Sequence, residues 1–375
     1  MAPPTKGPSM RTRSLFLACL LVLTANVSVA QDRTYHVILY DLAGGETGYG
    51  TTSFESINES NDIAGHHTTG PIGILQEEAT HTTEIQCAPG AARTSLNGIN
   101  NANEIAGWCI GAGNAQPPGA FGFLRLGNGQ FQAIRYPGSI ETQANAVNDK
   151  RQVVGSFRDQ NTGRTRGYLW QNNRFTVIDG MEPTGINNAG VIVGYTHGAD
   201  GHFQGVIRKP TGIQEPFNFP NATQTLPLDI NEHKHIVGAF EDVNGAQLFI
   251  WTPTGFSVFR TTLPGVLRVN LSGINDKGYL VGNFALATGD PQVRYLLGFL
   301  AVPLPVPQLG TTPQVATRQA LPGATLELRA TTATENLTPP ARKLTLRPEA
   351  EPCPTDEPPL PGPGKVPGWK LCYAG

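Results

Sequence analysis

INNAGVIVG, Ile186 to Gly194, is written six times in this chain with small changes. The other copies are INESNDIAG (57–65), INNANEIAG (99–107), VNDKRQVVG (147–155), INEHKHIVG (230–238) and INDKGYLVG (274–282). Their asparagines, Asn58, Asn100, Asn148, Asn187, Asn231 and Asn275, stand 42, 48, 39, 44 and 44 residues apart. A self-similar period of this size marks one supersecondary unit repeated along the chain.

Chemically the phrase is a tight turn between two strands. An apolar residue ends the first strand, and the Asn side chain bonds backbone N–H groups beyond it. The fourth turn position is Asn61, Asn103, Arg151, Gly190, Lys234 or Gly278; four of the six are Gly or Asn, which tolerate positive φ. That predicts a type I turn followed by a left-handed residue. The strand after the turn opens with two small or apolar residues, so both of its faces are expected to be buried. It then carries Gly65, Gly107, Gly155, Gly194, Gly238 or Gly282. A glycine recurring at one point predicts a close backbone approach in every unit.

Each unit then continues through a looser turn to an apolar strand, such as FGFLRL (121–126), RGYLW (166–170) or QLFIW (247–251). A short polar turn leads to a last strand, such as FQAIRY (131–136), FTVID (175–179) or FSVFR (256–260). Four short antiparallel strands per period match the blade of a β-propeller. The phase is informative. The chain's first strand, YHVILYDL (35–42), has the character of a last strand, and the sixth unit ends at LLGFLAV (296–302) without one. The expected fold is all-β: a six-bladed β-propeller of four-stranded antiparallel blades, closed by pairing 35–42 beside 296–302, with a Pro-rich C-terminal tail. A β-sandwich or an open solenoid is the alternative architecture.

These units resemble the extracellular repeats of the HAF family, named for a His-Ala-Phe tripeptide. The resemblance spans about residues 35–302. It is closest in VILYDLAGGETGYGTTSFESINESNDIAG, similar to that family's Asp-Leu-Gly-Gly lead into Ile-Asn-x-x-Gly-x-Val-Val-Gly. The tripeptide itself is replaced by GAFGFL, RGYLW, FQGVI and QLFIW, with no His before the aromatic. The resemblance implies an exported bacterial repeat protein and carries over no activity.

The composition agrees with a strand-and-turn fold. Gly (44) and Pro (31), the two poorest helix formers, fill a fifth of the 375 positions. Residues 1–30 read as a signal peptide: Lys6, Arg11 and Arg13, an apolar stretch from Ser14, and Ser28-Val29-Ala30 before cleavage at Gln31. Removing them leaves 24 Lys+Arg against 29 Asp+Glu, a formal net charge of −5. With no dense basic run, nucleic acid and anionic membrane are poor partners. No second apolar run of spanning length follows, so no membrane span is expected in the mature chain. Secreted, extracellular or periplasmic placement follows from the leader.

Cleavage also leaves four cysteines, Cys87, Cys109, Cys353 and Cys372, an even count suited to two disulfides in an exported chain. Three pairings are possible; the local ones, Cys87–Cys109 and Cys353–Cys372, are expected. The ring should occupy 31–303. Beyond it, 304–375 loses the period, is dense in Pro, and is expected to be poorly ordered around its local disulfide.

Chemistry is harder to find. There is no G-x-S-x-G, no H-E-x-x-H and no Walker loop, and GETGYG (45–50) reads as an interblade loop. His233 and His235 could share a metal at strand spacing, but they fall in a turn where polar residues belong. His66, His67, His197 and His202 read as solvated turn residues. DQNTG (159–163) and DVNG (242–245) have part of a Ca²⁺ loop without its later bidentate Glu. No catalytic, cofactor-binding or metal-binding residue is therefore assigned. The expectation is a monomeric binding or interaction module for an unidentified protein or glycan. The alternatives are a secreted glycan-active hydrolase or lyase on the same scaffold, and a purely structural surface protein.

Overall fold

The computed structural model describes residues 35–41, 52–68, 70–77, 81–111, 120–198, 200–260, 266–287 and 294–304, and the backbone of the strands Ala18–Leu23, Thr325–Thr331, Lys343–Pro348 and Trp369–Ala374. It is a six-bladed propeller of antiparallel sheets, with no helix among the described residues. Blade I holds Thr52–Ile57, Ile63–His67, Gly73–Glu77 and His81–Ile85 in that order across the sheet. Blade II holds Ala91–Ile99, Ile105–Gly111, Ala120–Arg125 and Phe131–Ile134; blade III, Ser139–Val147, Val153–Asp159, Thr165–Gln171 and Arg174–Ile178. Blade IV holds Glu182–Ile186, Ile192–His197, Phe203–Arg208 and Gln214–Pro216; blade V, Gln224–Ile230, Ile236–Asp242, Gly245–Thr252 and Gly255–Phe259.

Blade VI is made by both ends of the ring. Val266–Ile274, Leu280–Ala287 and Arg294–Pro303 take their fourth strand from Tyr35–Asp41, with Tyr35 opposite Pro303 and Tyr40 opposite Gly298. Closure thus comes from the strand whose sequence fits no other place. Outward, the same sheet continues through Ala18–Leu23, inside the expected leader, and then the three strands of the tail. Cys353 and the GETGYG loop lie outside the described residues.

The first strands stand side by side around the axis, each packed on the first strand of the next blade. Apolar side chains meet between the blades, one cluster per interface. Leu96, Ile105 and Phe123 of blade II pack on Ala64 and Leu75 of blade I. Tyr40, Val281 and Leu300 of blade VI pack on Phe54, Ile57 and Ile63 of blade I. Every second strand is sandwiched between neighbouring blades, which is why it reads as apolar on both faces.

Each first strand carries a bulge just before its turn, at Glu55, Asn97, Asn145, Thr184, Leu228 and Ser272. A bulge increases local twist. Beside it, the second-strand glycine faces backbone at very short range. A Cβ on Gly65, Gly107, Gly155, Gly194, Gly238 or Gly282 would lie 2.0–2.2 Å from a first-strand carbonyl oxygen. No other residue fits without moving the strand.

The turns that follow hold the ring together. All six residues at the fourth turn position have positive φ, between 54° and 77°. Each Asn Oδ1 accepts the N–H four residues on, at 2.8–3.0 Å. Each Nδ2 donates to the backbone carbonyl of the equivalent Asn in the next blade, at 2.9–3.3 Å. Asn275 donates to Asn58, so the six amides form a closed ring. All are 2–5% exposed, so these bonds satisfy groups that water does not reach.

Cys87 and Cys109 are joined, with 6.0 Å between their Cα atoms. The bond ties the link leaving blade I to the second strand of blade II.

Candidate functional site

The two mouths of the ring differ. At the turn end, a second ring lies on the asparagine ring. The backbone N–H of Glu59, Asn101, Asp149, Asn188, Glu232 and Asp276 each donates to the side-chain oxygen of the next member, at 2.5–2.9 Å, and the last donates to Glu59. Burial, and then the charges of Asp276 and Asp149, push the Glu232 carboxyl up. The space enclosed is small, about 80 Å³. This mouth is nearly uniform around the ring, and its polar side chains are used in holding blades together.

The other mouth is unlike it. Where the first and second strands pair, the second-strand partner is Gly in all six blades. One pairing position further from the turn, uniformity ends. The pairs there are Ser53–His66, Ser95–Trp108, Gln143–Ser156, Glu182–Tyr195, Leu226–Ala239 and Asn270–Asn283. No two are alike.

Polar side chains at this level form one chain across three blades. Asn270 Nδ2 donates to Asn283 Oδ1 at 3.0 Å, and Asn283 Nδ2 to Ser53 Oγ at 2.8 Å. Ser53 Oγ donates to Glu55 Oε1 at 2.7 Å, and that oxygen lies 3.7 Å from His66 Nδ1. His66 Nδ1 is also 3.2 Å from Ser95 Oγ. Ser95 Oγ donates to Asn97 Oδ1 at 2.8 Å, and Asn97 Nδ2 to the Ala144 carbonyl at 3.0 Å.

The hydrogen count along this chain fixes the imidazole. Ser95 has one hydroxyl hydrogen, and it goes to Asn97. At His66, Ser95 must therefore accept, so the proton sits on Nδ1. Nε2 is left as an acceptor, and Arg93 Nη2 lies 3.5 Å from it. Burial first, and then the Arg93 charge, hold the His66 pKa down to about 4. The Glu55 carboxyl is pushed up to about 7 by burial, against the Ser53 hydrogen bond and the Arg93 charge. Its side chain is 26% exposed. Ser, His and Glu are therefore adjacent without forming a nucleophilic triad, because the imidazole donates to the serine instead of taking its proton.

Blade IV adds a second cluster at the same level. Glu182 accepts from Tyr195 Oη at 3.4 Å and lies 3.1 Å from His197 Nε2. Burial, and then the Glu182 charge, push the Tyr195 hydroxyl up to about 12. Tyr195 and His197 both meet Phe203 edge to face, with centroids 5.0 Å apart.

The histidines divide accordingly. His66 is a buried strand residue, 8% exposed, and not the solvated turn residue its sequence context suggests. His197 ends a strand and is exposed. His233 and His235 lie in the blade V turn with rings 5.8 Å apart, and His233 Nδ1 is 3.5 Å from Asp276. Among the described residues no three His, Cys, Asp or Glu side chains are placed to hold a metal. Asp159 and Asp242 accept from their own loops, Asp159 from the N–H of Asn161 and Thr162 and Asp242 from that of Asn244. Sequence reasoning missed Arg93, Ser95 and Glu55; the signal that points to them is the column beside the glycines, where the six repeats stop agreeing.

No protein-family model and no curated protein matches this chain. Solved propellers match it in shape at low similarity. A streptogramin B lyase is 12% identical with a TM-score of 0.43, covering 71% of this chain and 97% of the lyase. A virginiamycin B lyase of Staphylococcus aureus is 11% identical with a TM-score of 0.41, over 78% of this chain and 98% of that one. TolB of Acinetobacter baumannii is 14% identical with a TM-score of 0.42, over 65% of this chain and 64% of TolB. These likenesses concern the fold alone.

Proposed function

We propose that the protein is an exported binding module, of the same design as the HAF extracellular repeats, which takes a polar ligand at the mouth away from the asparagine ring. One observation carries the reading: six identical glycines lie directly beside six unlike pairs. A column needed for closure repeats; a column that reads an asymmetric ligand must differ from blade to blade. Half-exposed Trp108 and Tyr195, with Glu182, Gln143 and Asn270, supply the ring faces and hydrogen-bonding groups that suit a glycan or a protein segment. The Cys87–Cys109 disulfide supports an oxidising compartment, as would a leader at 1–30. In this reading 31–303 forms the ring and 304–375 an attached tail. The proton placement at Ser95 favours binding over nucleophilic attack.

The test is a thermal-shift screen of the full secreted chain against soluble oligosaccharides and peptides. It is repeated with Trp108→Ala/Tyr195→Ala and with Asp149→Asn/Glu232→Gln. Ligands that stabilise the wild type and the turn-end variant, but not the first variant, support the proposal. Ligands that lose their effect only in the turn-end variant, or no stabilising ligand at all, count against it.

A further inference from the structure

Arg93 sits in the first strand of blade II, seven residues from Asn100 and therefore toward the far mouth. Its guanidinium carbon lies 5.3 Å from the Trp108 ring centroid. Nη2 faces the lone pair of His66 Nε2 at 3.5 Å, a long contact to a neutral group. Nε is buried and has no hydrogen-bond partner among the described residues. No carboxylate among them lies within ion-pair distance of Arg93. Glu55 is the nearby acid, but burial pushes its carboxyl up to about 7, so below that pH its neutral form prevails. A half-buried guanidinium is ordinarily matched by an anion, because an uncompensated charge held away from water is costly. Its unused N–H groups form the planar fork that takes both oxygens of a carboxylate.

We propose that Arg93 is the anchor for a carboxylate group on the ligand, with the Trp108 ring as the flanking face. This rests on the binding reading above and narrows it to acidic ligands. Two neighbours suit the role. His66 stays uncharged at neutral pH, so it neither competes for the anion nor repels Arg93. Ser95 and Asn97 spend their hydrogen bonds on each other and on Ala144, which fixes the floor beside the guanidinium. The carboxylate could belong to a sugar acid or to a peptide C-terminus.

The experiment uses the full chain at constant ionic strength and pH 6.0, where Glu55 is mostly neutral and His66 uncharged. Sodium acetate replaces sodium chloride stepwise to 100 mM while the melting temperature is read. Acetate should raise it in the wild type and leave Arg93→Met unchanged. Without acetate, Arg93→Met should melt at or above the wild type, because an unmatched charge has been removed. Arg93→Lys keeps the charge without the fork and should weaken acetate binding at least tenfold. Galacturonate oligomers, galactose oligomers, and a peptide with a free or an amidated C-terminus then separate the two sources. If Arg93→Met responds to acetate like the wild type, or the wild type ignores acetate and every acidic probe, the inference fails. If neutral oligomers bind as tightly as acidic ones and Trp108→Ala/Tyr195→Ala abolishes both, the carboxylate reading fails while the binding reading stands. If nothing binds at this mouth, both fail.

Discussion

Replacing Asn187 with Ala tests whether the asparagine ring holds the propeller together. Asn187 is 2% exposed and makes two side-chain bonds, accepting from Val191 N–H at 3.0 Å and donating to the Asn231 carbonyl at 3.2 Å. Ala would leave the Val191 N–H without its partner, at a cost of about 1–3 kcal/mol. The Asn231 carbonyl still accepts from Lys234 N–H at 3.0 Å, so that loss is smaller, about 0.5–1 kcal/mol. The sum is about 3 kcal/mol. At this chain length one kcal/mol moves the melting temperature by about 2 °C, so calorimetry should show a drop of about 6 °C. Asn187→Asp separates the two bonds: it still accepts from Val191, but its carboxylate cannot donate to Asn231. It should be destabilised at pH 7 and recover part of the loss in acid as the carboxyl gains a proton. Asn161→Ala, in an exposed loop, is the control and should shift the melt by less than about 1 °C. A drop below about 1 °C for Asn187→Ala, or wild-type stability for Asn187→Asp at pH 7, would refute the reasoning.

The other predictions concern stability and pH. Gly194→Val places a Cβ 2.2 Å from the Glu182 carbonyl and should cost more than about 4 kcal/mol or prevent folding; an unchanged melt would show that the close approach is not required. Cys87→Ser/Cys109→Ser opens a cross-link of 22 residues and should cost about 3 kcal/mol in denaturant titrations; equal midpoints with the oxidised wild type would be the contrary result. Glu55 rises from 4.5 to about 7 and Asp229 from 3.8 to about 7, both by burial, so the folded protein binds more protons than the unfolded chain between those limits. Their effect is stability that falls as pH rises through that window, by about 3 kcal/mol for Glu55 alone. His66 acts oppositely: held neutral down to about 4 from 6.5, it lowers stability as pH falls through that range. Glu55→Gln should therefore match the wild type near pH 4.5 and exceed it by up to about 3 kcal/mol at pH 8; parallel pH profiles would contradict this.

The ring was legible because its construction repeats. The spacing of Asn58 to Asn275 gave the blade count, the left-handed residue at the fourth turn position gave the hairpin, and the stray strand at 35–42 gave the closure. The mouth was not legible for the same reason. Ser53, Ser95, Gln143, Glu182, Leu226 and Asn270 share one structural position but span five side-chain types, so a search for repetition discards them. His66 illustrates the failure. A histidine just after a repeated glycine looks like the start of a turn, and only the pairing with Ser53 keeps it in the strand and brings it to Glu55 and Ser95. Arg93 was invisible because the sequence does not show which charges lack a partner.

The shared sixth blade also sets an order of events. Tyr35 and Pro303 are opposite one another, yet almost the whole ring separates them in sequence. Blades I to V need only neighbours within one period, and hairpins of that kind form in microseconds. Sealing the sixth must await a contact whose entropic cost grows with the logarithm of a loop of about 270 residues. The step expected to be slow is the meeting of the two ends, Asn275 with Asn58 and Arg294–Pro303 with Tyr35–Asp41. A chain that stops short of Arg294 would keep Asn275 to bond Asn58 but lose the strand on which Tyr35–Asp41 docks, leaving the part of blade I that meets Tyr40 and Leu300 facing water.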